Sequence, residues 1–62
     1  MKKPELEKLL RQYGCYYLDD GGNHETWYSP ITGKKFPVWR HKGQDIKPGT
    51  LRKILKESGI KP

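Results

Sequence analysis

The sequence has a single cysteine, Cys15, with no CxxC or CxxH pair around it. An internal disulfide framework is therefore excluded, a structural zinc site is disfavoured, and a reducing cytosol is the fitting compartment. Long apolar runs are also missing. Nothing approaches the roughly 20 residues of a membrane span, and "MKKPELEKLL" has no apolar stretch of signal-peptide length. These absences point to a soluble, cytoplasmic protein with no membrane partner. Apolar residues make up only 32% of the 62 positions, and a chain this short buries only about 60% of its unfolded surface. One small domain over residues 1–62 is expected, with a partner contributing to stability.

Acidic residues are scarce in the second half. Residues 1–33 hold four Lys and Arg against five Asp and Glu, a net of −1. Residues 34–62 hold nine Lys and Arg against Asp45 and Glu57, a net of +7. A cationic surface of this kind most often meets a polyanion, usually nucleic acid; the plainer reading is solubilising charge.

What is present follows a regular order. "KPELEKLLRQYG" places Leu6, Leu9, Leu10 and Tyr13 on one helical face. Pro4 suits the first turn, Glu5, Glu7 and Arg11 complement the helix dipole, and Gly14 is a fitting C-terminal cap. "CYYLDD" predicts a strand, "DDGGN" a turn, and "HETWYS" a second strand, making a hairpin. "PITGKK" predicts the next turn and "KFPVWRH" a third strand, with Pro37 suited to a sheet edge. After the polar loop "HKGQDIK", "PGTLRKILKESG" predicts a second helix, with Pro48 at its start, Gly59 past its end, and Leu51, Ile54 and Leu55 on its apolar face.

The expected fold class is α+β in the order α-β-β-β-α, a three-stranded antiparallel sheet with two helices on one face. Strand alternation then assigns the faces. Trp27, Phe36 and Val38 point to the helices. Glu25 and Ser29 share Trp27's parity, with Glu25 expected to escape to solvent at the sheet edge. His24, Tyr28 and Trp39 are expected on the open face.

Several groups could carry chemistry there. "HETWY" opens like a zinc-protease motif but has Tyr28 where the second histidine belongs. No metal site and no cofactor is expected, because zinc sites need three or four convergent ligands. His24 is a candidate general acid or base, since imidazole titrates near neutrality; the plainer reading is a hairpin-end decoration. RNA carries its own nucleophile, the 2′-hydroxyl, so a nuclease can work with proton-transfer groups and cations alone. His41 is either a second such group or a loop histidine holding the turn by hydrogen bonds. Lys42, Lys47, Arg52 and Lys53 are candidate phosphate contacts, or a solvated face. The N–H groups at "KPGTL", with Gly49 and Thr50, are another, or simply start the helix. Tyr28 and Trp39 could stack on bases of single-stranded RNA or pack on a partner protein.

Three blocks then resemble a known family: "ELEKLLRQYGCYY", "GNH" at Gly22, Asn23 and His24, and "HKGQDIKPGTLRKILKESGI". Together they resemble the HicA toxins of toxin–antitoxin pairs, from about Lys3 to Ile60. The resemblance implies a fold like the double-stranded-RNA-binding domain and an mRNA interferase, an endoribonuclease that cuts mRNA and halts translation. It implies a HicB-like antitoxin that covers the active site. It places the active histidine at His24 and matches His41 to the histidine closing the third strand. Asn23 stands where the family usually has serine, Glu25 where a second histidine often follows, and Trp39 where proline is common. The competing reading is a non-catalytic RNA-binding domain, or an inactive toxin that only binds its antitoxin.

Overall fold

The computed structural model describes residues 1–40 and 45–61. The order is α1 (Lys3–Gln12), β1 (Tyr16–Gly21), β2 (His24–Ser29), β3 (Lys34–Trp39) and α2 (Pro48–Ser58). The strands form an antiparallel sheet in the order β1-β2-β3, so the α-β-β-β-α class expected from the sequence is the one observed.

Both helices end by the same device. Gly14 and Gly59 take φ of 85° and 78°, a region open to glycine because it has no Cβ. The next residue then bonds back: Cys15 N–H donates to Leu10 O, and Ile60 N–H to Leu55 O, each at 3.0 Å. Gly14 and Gly59 N–H donate to Arg11 O and Lys56 O. These are the paired bonds of a Schellman motif. Cys15 and Ile60 are thereby turned into the core, where both are buried. Because α1 stops at Gln12, Tyr13 leaves the apolar stripe and is exposed, whereas Leu6 and Leu10 are buried.

The first hairpin turn is shorter than "DDGGN" suggests. Asp19 and Asp20 stay in the ladder opposite Thr26 and Glu25, and the register shifts between Tyr17 and Asp19. Only Gly22 and Asn23 lie between the closing pair Gly21 and His24. Gly22 has φ 67° while Asn23 stays negative, the sign pattern of a type II′ turn. His24 is thus the first residue of β2, held at the hairpin end.

The core lies between the sheet and the helices. Trp27, Phe36 and Val38 meet Leu6, Leu10 and Ile54, closed by Cys15, Ile46 and Ile60. The alternation of β2 and β3 is as the sequence suggests, and Pro37 sits on β3, an edge strand. Ser29 is buried and its hydroxyl donates to Ser58 O at 2.5 Å, tying the end of β2 to the end of α2.

Glu25 does not escape to solvent. Its carboxylate accepts from Lys3 Nζ at 2.8 Å and from Trp27 Nε1 at 3.0 Å. Lys3 also donates to Glu7 at 2.7 Å and is fully buried. Parity sends Glu25 beneath the sheet, and the first residue of α1 meets it there. Burial alone would raise the Glu25 pKa, but the bonds from Lys3 and Trp27, with the charges of Lys3 and Arg40, hold it below its ordinary 4.5. Lys3 is the mirror case: burial lowers it, yet its bonds to Glu25 and Glu7 hold it above 10.5.

Candidate active site

The register of β2 and β3 sets His24 directly opposite Trp39. Both side chains belong to the outer face, along with Thr26, Pro37 and Tyr28. Since α2 packs against β3, its flank borders the same face. The result is a cleft of about 270 Å³ lined by His24, Pro37 and Trp39 from the sheet and by Thr50, Lys53, Ile54 and Glu57 from α2. Another recess is lined by Asn23, His24, Trp39 and Arg40. His24 and Trp39 line both.

His24 is exposed. Its backbone carbonyl accepts from Arg40 Nη2 at 3.3 Å, and the same nitrogen lies 3.3 Å from Asp20 Oδ1. Arg40 therefore fixes the hairpin end to β3 and lines a recess together with His24. Its Nε is covered and has no hydrogen-bond partner among the described residues. Glu25, next to His24 in sequence, points to the other side of the sheet and is neutralised by Lys3. Its negative charge is thus turned away from the imidazole.

Of the residues singled out from the sequence, the structure brings His24, Trp39 and Lys53 to one cleft, together with Thr50. Trp39 faces outward as parity requires, but is half-buried against the rim of the core. Tyr28 lies on the same face, yet four residues along β2 from His24, about 13 Å away at strand spacing. There it meets the Tyr16 ring at 5.4 Å between centroids. Lys47 and Arg52 are exposed and are not among the described residues that line the cleft. His41 and Lys42 lie outside the described residues. Around Gly49, a Cβ would meet nothing within 4 Å, so the start of α2 is open. Among the described residues no three His, Cys, Asp or Glu side chains converge.

Sequence reading missed Arg40 and Glu57. Arg40 sits in "VWRH", one residue past Trp39, and its signal is the register that places Trp39 opposite His24. Glu57 follows Lys53 by one helical turn, so it shares the flank that Lys53 presents.

Chemically, the cleft offers an accessible imidazole, a hydroxyl, an ammonium and a carboxylate beside an indole platform. The chain matches, over residues 4–60, the family described as "HicA toxin of bacterial toxin-antitoxin". It belongs to the HicA toxin family. HicA toxins are generally RNA-cleaving, and a toxin–antitoxin family implies an antitoxin partner. Searches of curated proteins and of solved structures gave no match. No helix among the described residues is long and apolar enough to cross a membrane.

Proposed function

We propose that this HicA toxin is an mRNA interferase, a metal-independent endoribonuclease neutralised by a HicB-like antitoxin. The observation that carries this reading is the exposed His24, opposite Trp39 and in one cleft with Lys53. RNA supplies the nucleophile. The 2′-hydroxyl attacks the adjacent phosphorus, the new P–O2′ bond forms and the P–O5′ bond breaks. One group takes the 2′-hydroxyl proton and another gives a proton to the departing 5′-oxygen. His24 carries one of these transfers, as general base or acid. His41 is proposed for the other, or for holding the end of β3. Lys53 and Arg40 stabilise the charge that builds on the phosphate oxygens. Trp39 offers a face for the adjoining base, and Tyr28 for a base further along the strand. Lys42, Lys47 and Arg52 are proposed for further contacts to the RNA backbone.

This chemistry fixes the product ends. Cleavage should leave a 2′,3′-cyclic phosphate and a 5′-hydroxyl, read by end-labelling and mass spectrometry. Expression should arrest growth, and co-expression of the antitoxin should relieve the arrest. Products with a 5′-phosphate would rule out the 2′-hydroxyl route. RNA binding with neither cleavage nor arrest would identify a binding module, and antitoxin binding without RNA affinity a decayed toxin.

A further inference from the structure

The cations of this chain divide into two populations. Among the described residues, the cations in ion pairs are the N-terminal amine, Lys2, Lys3, Arg11 and Arg40. The lysines of β3 and α2 are in none. All four, Lys34, Lys35, Lys53 and Lys56, line a second cleft of about 470 Å³ between β3 and α2, with Glu57 its lining carboxylate. Like charges gathered in one concavity repel, and low-dielectric walls focus their field outward. Such a cleft attracts a polyanion.

Its position says more than its charge. Lys53 and Glu57 line both this cleft and the one that holds His24. The two clefts adjoin at these α2 side chains and together follow β3 from Trp39 to Lys35, about 13 Å at strand spacing, as one β3–α2 groove. Lys35 is opposite Tyr28 in the sheet, and the Tyr28 ring touches Tyr16, but neither tyrosine is among the described residues that line either cleft. A row of lysines leading away from the Trp39 ring suits a single strand, its phosphates on the ammonium groups and a base on the indole.

We infer that the β3–α2 groove is the track for single-stranded RNA, with Lys34, Lys35 and Lys56 holding phosphates beyond the one at His24. This rests on the nuclease reading above for the orientation of the strand, though not for its binding. The track selects unpaired RNA.

The test measures binding of a short, unstructured, labelled RNA to full-length His24→Ala protein at several salt concentrations. Two double variants are compared in that background: Lys35→Ala with Lys56→Ala, and Lys8→Ala with Lys61→Ala as a control of equal charge. The groove pair should lose affinity about tenfold, with the log–log salt slope shallower by about 1.4, since each single-strand phosphate contact contributes about 0.7. The control pair should change less than threefold. Equal losses in both pairs would overturn the track in favour of diffuse charge. Retained RNA affinity with lost antitoxin affinity in the groove pair would overturn it in favour of an acidic protein segment. Wild-type cleavage is scored separately. RNA bound through the groove but left uncut would overturn the nuclease and keep the track. Cleavage with undiminished affinity in the groove pair would overturn the track and keep the nuclease.

Discussion

Lys3 is a basic residue near the start of a polar helix, yet its ammonium is fully buried between Glu7 and Glu25. Removing Lys3 as Lys3→Met leaves Glu25 without its cation in a covered place. Breaking fully buried pairs costs about 3–5 kcal/mol; Glu25 keeps some exposure, so about 2 kcal/mol is expected, measured by denaturant unfolding. Adding Glu25→Gln should recover part of that loss, because no charge is then left unpaired. The pH dependence follows from the same residues. The Glu25 contribution is present above 4.5 and is lost as pH falls through its lower folded value. The Lys3 contribution is complete below 10.5 and is lost as pH rises through its higher folded value. Melting temperature should therefore fall on the acid side, and less steeply in Glu25→Gln than in the parent. Little of this network was legible in the sequence. Alternation placed Glu25 on Trp27's side, but its partner comes from 22 residues away, and no local spacing announces that.

Helices and strands were far more legible, because their signals are local. The proline-first, glycine-after pattern marks both helices, and alternation marks β2 and β3. The irregularities were less so. The register shift in β1 and the half-burial of Trp39 depend on neighbours that only the assembled sheet and α2 provide. The glycines offer a test of the element joints. Gly22 and Gly59 both have positive φ, but a Cβ at Gly22 meets nothing within 4 Å. At Gly59 it would come within 2.8 Å of Ile31 Cγ2 and 2.9 Å of Thr32 Cγ2. Gly22→Ala should cost about 1 kcal/mol from backbone strain alone. Gly59→Ala should cost about 1–2 kcal/mol more, because the loop before β3 must also move aside. Chemical denaturation midpoints of the two variants decide this order.

At the scale of the whole molecule, charge and architecture divide the work. In the N-terminal half, net −1, Lys2, Lys3 and Arg11 are in ion pairs, while Arg40 from the second half ties the hairpin end. In the C-terminal half, net +7, Lys34, Lys35, Lys53 and Lys56 line the cleft between β3 and α2. The candidate site forms where the two halves meet, with His24 from the first and Trp39, Arg40 and Lys53 from the second. That meeting was only half visible in the sequence. The histidine and the basic helix could be named, and the family resemblance pointed to His24. The pairing of His24 with Trp39 depends on the register set by the turn between β2 and β3, and the approach of Lys53 on how α2 packs. The central claim is that His24 performs the chemistry. Cleavage of an unstructured RNA by purified protein in EDTA, parent beside His24→Ala, tests it most directly. A proton-transfer group contributes about 10²–10⁴-fold in rate, so cleavage should persist in the parent and fall by at least a hundredfold in the variant, with its fold intact. Equal rates in the two proteins would contradict the account.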